Sequence, residues 1–255
     1  CETVCPAHVQ YGELLVETRS LIGPSPSRPR RLLDLVARPD RLRRLRRMAR
    51  WLGVVRWKPW LMRRLPAHSP WRAALSALPA TAMAPNAHAS PPRPGQPLLA
   101  LFPGCVASVE DAEAQQAAVT LLQAAGFGVT VLPAFCCGAM DLHGGATAAA
   151  ERAAHQVRQA WTASGADQLI SVTPGCLGSL RRALPHVRVV DPIELLAVQV
   201  SHLQFRPLAQ RVALHLPCTQ INVAGTDTAL LQLLKLIPAL DVSLVPRPPH
   251  CCGAA

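Results

Sequence analysis

The chain has 255 residues, half of them hydrophobic, with 25 prolines and nine cysteines. That length admits more than one core, and the composition excludes both a disordered chain and a disulfide-dense secreted domain, which would be shorter and far richer in cysteine. The net charge of +11 is uneven: residues 28–72 hold fifteen basic residues against Asp34 and Asp40, so the high pI belongs to one segment rather than to the fold.

The sequence opens on Cys1 without a methionine and stops two residues after a Cys-Cys-Gly tripeptide, so it reads as a segment of a longer protein. The lack of a signal peptide therefore carries little weight. No apolar run reaches the roughly 20 residues that a membrane-spanning helix needs.

In chain order, residues 1–10 are turn-rich and Tyr11–Ile22 is expected to be helical until Gly23-Pro24-Ser25-Pro26 breaks it. From Pro39 a second helical pattern begins, with Asp40 placed to cap it. Leu42, Leu45, Met48, Leu52 and Val55 recur at helical spacing, which predicts an apolar inner face. Arg43, Arg44, Arg46, Arg47 and Arg50 are expected to fill the opposite, solvated face, with helix continuing to Leu65. Residues 79–97 contain enough prolines to form a stiff linker without ladder hydrogen bonds, and a domain boundary is placed there.

Beyond the linker the rhythm changes. Short apolar strands are predicted at 98–102, 129–132, 169–172, 187–190, 212–215 and 242–245, with helices at about 108–125, 145–163, 192–203 and 225–237. Such alternation implies parallel, helix-covered sheets. The fold class is therefore α/β: a helical N-terminal region, then two repeated α/β halves. The expected organisation is 1–22, a basic helical connector at 23–78, the linker at 79–97, and halves at 98–190 and 191–255.

The repeat is carried by cysteines. Cys136-Cys137-Gly138 and Cys251-Cys252-Gly253 are the same tripeptide, preceded at a distance of thirty or so residues by Cys105 and Cys218 respectively. With Cys176, these follow predicted strands at their carboxyl ends, the edge where open α/β sheets place ligands. Soft thiolates suit zinc, copper(I) and iron–sulfur clusters. Zinc's usual short C-x2–4-C pairs are absent, and two adjacent thiolates reach different iron atoms of one cluster more readily than a single tetrahedral ion. The following glycine permits a backbone conformation, or a close backbone–cluster approach, that a β-carbon would obstruct. Buried inert thiols, a vicinal disulfide and a thiol-redox switch remain open alternatives. Separately, Cys1 and Cys5 form a C-x3-C-P that matches the end of a bacterial ferredoxin run, in which the final cysteine serves a different cluster.

A ferredoxin-type tail (Cys1-Glu-Thr-Val-Cys5-Pro, running into Val9-Gln10-Tyr11-Gly12) followed by two Cys-Cys-Gly domains resembles the iron–sulfur subunit of bacterial glycolate oxidase. The cysteine-rich halves are similar to those of heterodisulfide reductase and of the anaerobic glycerol-3-phosphate dehydrogenase small subunit. The resemblance implies 4Fe-4S clusters, a ferredoxin-like origin for residues 1–22, and electron relay without substrate chemistry on this chain. It also implies flavoprotein partner subunits that oxidise glycolate to glyoxylate, and a cytoplasmic location near a membrane acceptor. Lactate and glycerol 3-phosphate are rival substrates; a heterodisulfide reductase-like thiol module is the rival class. Carried onto this sequence, the family motif matches Cys105, Cys136, Cys137 and Cys176 in the first repeat, with Ser179 where a closing cysteine would stand. In the second it matches Cys218, Cys251 and Cys252.

His143, His155, His215 and His250 lie near these motifs, and rim positions are expected for each. No phosphate loop or dinucleotide fingerprint is present. The basic segment 28–72, with Trp51, Trp57 and Trp60 interleaved, reads as a peripheral surface for the inner membrane, a dock for an acidic subunit, or a solvated connector. Nucleic-acid binding is not expected, because it leaves the cysteines unexplained.

Overall fold

The computed structural model describes residues 6–7, 9–26, 28, 30–69, 71–72, 75 and 85–245, with the side chain of Val55 excepted. Cys1, Cys5, His250, Cys251, Cys252 and part of the 79–97 linker lie outside the described residues. Contacts divide the chain into two units, Cys1–Ala87 with Pro103–Gln116 and Pro133–Ala153, and His88–Phe102 with Ala117–Leu132 and Ala154–Ala255.

The first unit holds helices α1 (Tyr11–Ile22), α2 (Arg30–Val36), α3 (Pro39–Trp51) and α4 (Val54–Arg64). It also holds two short helices, α5 (Ala107–Glu110) and α7 (Ala139–His143), each just after a cysteine motif. Here α1 packs on α7 and α3 packs on α5. Proline at the first position starts α3, with Arg38 at its N-cap and no side-chain cap bond, so Asp40 sits in the first turn without the expected capping role.

The inner face of α3 also differs from expectation. Arg46 is buried, while Leu45, Met48, Trp51 and Leu52 are exposed. Arg46 donates from Nε to Glu110 Oε1 at 2.9 Å and from Nη2 to Oε2, and Arg43 Nη2 donates to the Ser108 carbonyl at 2.6 Å. A buried guanidinium is tolerable only when its charge is met in this way. With α5 offering the Glu110 carboxylate and the Ser108 carbonyl, Arg43 and Arg46 turn inward, and Leu45, Met48 and Leu52 are left outside.

The second unit contains a four-stranded parallel sheet of β1 (Leu98–Leu101), β2 (Gly128–Val131), β3 (Gln168–Ile170) and β4 (Val189–Val190), in the order β2-β1-β3-β4. Leu99, Ala100, Leu101, Leu169 and Ile170 are fully buried, which explains why these strands read as unbroken apolar runs. Helices α6 (Ala112–Ala124), α8 (Thr147–Ser164) and α9 (Pro174–Ala183) add Val119 and Leu122, Val157, and Leu177 and Leu180 to this core. After α10 (Pro192–Val198), a second parallel pair forms from β5 (Gln210–Leu214) and β6 (Leu240–Leu244), connected through a π-helical turn at Gln220–Ala224 and α11 (Asp227–Lys235). The chain is thus α/β, with a helical N-terminal region followed in sequence by parallel sheets. Observed strands fall within two residues of the predicted ones. Helix α9 is absent from the predicted elements; it starts with proline at its first position.

Candidate functional site

Each described cysteine follows a parallel strand: Cys105 after β1, Cys136 and Cys137 after β2, Cys176 after β3 and Cys218 after β5. Their environments differ. Cys105 and Cys137 are buried, Cys136 and Cys176 half-buried, and Cys218 exposed.

Three of them meet in the first unit, where Cys105 and Cys137 both hydrogen-bond through their side chains to Cys136. These two bonds, Cys105 first, pull the Cys136 thiol down from its ordinary 9.0 to about 3; they outweigh burial, which raises it, and the Gly138 amide assists. That amide donates to Cys136 Sγ at 3.4 Å. The three thiols therefore form one hydrogen-bonded group, in which Cys136 gives up its proton most readily.

The loops that carry these sulfurs are held from several directions. Gln115, itself buried, donates Nε2 to the Pro103 carbonyl at 2.7 Å, and Ser108 Oγ donates to the Cys105 carbonyl at 3.0 Å. At Gly138 the backbone takes φ +83°, and a β-carbon there would come within 2.8 Å of Ala153 Cβ. The expected conformational reason for this glycine therefore holds, and the close approach observed is to α8. Arginines from the N-terminal region grip the chain just beyond Cys105 and just beyond Cys136-Cys137. Arg28 donates to the Met140 carbonyl and to Asp141 Oδ1, each at 2.9 Å, and Arg19 donates to the His143 carbonyl at 2.7 Å. Arg43 and Arg46 do the same for α5. Sequence reasoning missed these four arginines, since nothing in their spacing separates them from the solvated arginines beside them.

A cavity of about 540 Å³ lies beside the Arg28–Asp141 pair and is also lined by Arg30, Leu33, Asp34 and Arg152; no described cysteine lines it. Among the described residues, no three His, Cys, Asp or Glu side chains are placed to hold a single metal ion. The donor chemistry of the Cys105–Cys136–Cys137 group, three soft sulfurs with a backbone N–H aimed at the one most easily ionised, fits a multinuclear iron–sulfur group.

In the second unit, Cys176 occupies the first turn of α9, and Ser179 stands one turn later. Ser179 Oγ is buried and has no hydrogen-bond partner among the described residues. Cys218 precedes the π-helical turn, whose Gln220 is buried and donates Nε2 to Thr226 Oγ1 at 2.5 Å and to Asp191 Oδ2 at 3.4 Å. Asp191 also caps α10 by accepting from the Ile193 amide at 2.8 Å. Desolvation pushes the Asp191 carboxyl above its usual value, against the pull of those hydrogen bonds. His143, His155 and His215 are exposed.

Residues 99–181 match the family described as cysteine-rich domain, CCG. Over its whole length the chain is similar to an iron–sulfur subunit of the glycolate oxidase type. It is 26% identical to the probable glycolate oxidase iron-sulfur subunit of Bacillus subtilis, covering 100% of this chain and 65% of that one. It is 27% identical to one of the subunits of the fumarate reductase (CoM/CoB) of Methanothermobacter marburgensis, over 61% of this chain and 32% of that one. It is 28% identical to one of the subunits of the anaerobic glycerol-3-phosphate dehydrogenase of Escherichia coli, over 62% and 43%. The chain thus spans between a third and two thirds of the length of these curated relatives. No solved structure gives a significant match.

Proposed function

We propose that this chain is the iron–sulfur electron-transfer part of a glycolate oxidase-type oxidoreductase. The observation that carries the reading is the gathering of the Cys105, Cys136 and Cys137 sulfurs on loops after two parallel strands, in a chain similar end to end to such a subunit. In this reading those three are cluster ligands. Cys176 and Cys218 join the ligand set on the strength of the motif, as do Cys1, Cys5, Cys251 and Cys252, and the clusters are of the 4Fe-4S type. Ser179 Oγ offers an oxygen donor where the closing cysteine of the first repeat would stand. When bound, the cluster supplies one-electron redox chemistry.

The protein's part is to hold and to tune. Gln115, Ser108 and the inward arginines fix the cysteine loops so that their sulfurs keep their places. The Gly138 amide stabilises negative charge on Cys136, which favours the reduced state of whatever is ligated there. Substrate oxidation belongs to flavoprotein partners, which take the electron pair from glycolate as glyoxylate forms. This chain passes single electrons toward a membrane acceptor from the cytoplasmic side.

The test is bleaching of the visible iron–sulfur absorbance in the anaerobically purified complex after substrate is added. Bleaching by glycolate supports the reading, and bleaching only by lactate or glycerol 3-phosphate reassigns the substrate. No bleaching by any of the three, in a complex whose absorbance dithionite does bleach, overturns the relay. The vicinal pair Cys136-Cys137 equally suits a thiol–disulfide module, for which no iron–sulfur absorbance is expected.

A further inference from the structure

The inversion of α3 leaves an unusual surface. On its outward arc Leu45, Met48, Trp51 and Leu52 are exposed, and α4 adds Trp57 and Trp60; Trp51 is 86% exposed and Trp57 60%. Arg44, Arg47, Arg50, Arg56, Arg63 and Arg64 are exposed on the same two helices. None of these six arginines has an ion-pair partner among the described residues. Asp34, one of two acids in residues 28–72, is already occupied by Arg38 at 3.2 Å and Arg41 at 3.3 Å. The inward arginines hold the α5 segment, so the outward ones are left without a task inside the first unit.

We infer that the outward face of α3 and α4 seats the protein on an anionic lipid surface. Charge complementarity is one argument: the segment carries a large excess of positive charge, and anionic headgroups supply a matching negative field. The arrangement of the face is the other. A protein interface has an apolar core depleted of charge and a separate polar rim. Here Met48 lies one helical turn from Arg44, and Trp51 one turn from Arg47, all four exposed, so apolar and cationic side chains adjoin on the exposed surface. A fluid headgroup layer accepts that mixture. Tryptophan and leucine enter the acyl boundary, while each arginine extends its stem to a phosphate. The Arg64 guanidinium already lies over the Trp60 ring at 5.3 Å, a pairing that can settle together at the interface. No described helix is long and apolar enough to cross a membrane, so the attachment is peripheral.

This inference deepens the membrane-acceptor part of the proposed relay and rests on it. Its test uses the full-length protein in flotation with vesicles of phosphatidylcholine mixed with phosphatidylglycerol, and with vesicles of phosphatidylcholine alone. Binding only to the anionic vesicles is expected, with a blue shift of tryptophan emission and release by salt. The triple variant Arg44→Gln/Arg47→Gln/Arg50→Gln is expected to bind roughly a hundredfold more weakly. The variant Trp51→Ala/Trp57→Ala is expected to lose the blue shift. Equal binding to both vesicle types, or affinity unchanged in the arginine variant, overturns the inference. So does loss of binding to purified flavoprotein subunits, rather than to vesicles, in these variants, which would make the face a subunit dock. Iron and acid-labile sulfide are measured on every sample: loss of flotation with iron and sulfide retained concerns this face alone, and their absence from a protein that still floats concerns the relay alone.

Discussion

At the scale of single residues, Gly138 ties the cysteine motif to its surroundings most tightly. Its positive φ and the 2.8 Å approach of Ala153 both forbid a β-carbon, and its amide faces Cys136 Sγ. Gly138→Ala is expected to lower unfolding free energy by roughly 1–3 kcal/mol through backbone strain and the clash with α8, read from urea denaturation. An unchanged midpoint would mean that the loop relaxes without cost. The sequence made this glycine legible, because it recurs after both cysteine pairs. It did not reveal Gln115, a buried side chain in an ordinary helical stretch whose partner is the Pro103 carbonyl twelve residues away. Nor did it reveal the burial of Ser179, which stands out in the sequence only as a departure from a motif.

Among the elements, the strands were readable and the basic helix was not. Parallel strands buried on both faces need continuous apolar residues, so Leu98–Leu101 and Gln168–Ile170 announce themselves. An amphipathic helix announces two faces without saying which is inward. For α3 the decision rests on Glu110 and the Ser108 carbonyl, more than sixty residues away, and local spacing carries no information about them. The prediction that follows concerns the buried pair. Arg46→Met strands the Glu110 carboxylate and is expected to cost about 3 kcal/mol, whereas Arg46→Met with Glu110→Leu recovers most of that loss. Equal losses in the single and double variants would contradict the pairing account.

The cap of α10 gives a second prediction at this scale. Because desolvation raises the Asp191 carboxyl, the native state keeps a proton that the unfolded chain has already lost. In the window opening at the unfolded value of about 3.8 and closing above the raised native value, stability therefore falls as pH rises. Asp191→Asn retains an acceptor for the Ile193 amide and is expected to flatten that slope, as followed by urea midpoints across the window. An identical slope in the variant would place its origin elsewhere.

Over the whole molecule, the N-terminal helices and the cysteine loops form a common structural unit. Arg19 from α1, and Arg28, Arg43 and Arg46 from the basic region, reach to the chain just beyond Cys105 and just beyond Cys136-Cys137. The charge that looked like a separate property of one segment is partly structural, fastening the loops on which the sulfurs sit. The remaining arginines are left for the outside. The central claim is that those sulfurs hold an iron–sulfur group, and it is most directly tested by metal analysis of the full-length protein expressed and purified anaerobically, alongside Cys136→Ala/Cys137→Ala. The account predicts iron and acid-labile sulfide together, a cluster signal by electron paramagnetic resonance after reduction, and loss of part of both iron and sulfide in the double variant. A colourless protein containing zinc and no sulfide, or a double variant with its full complement of iron and sulfide, would contradict it.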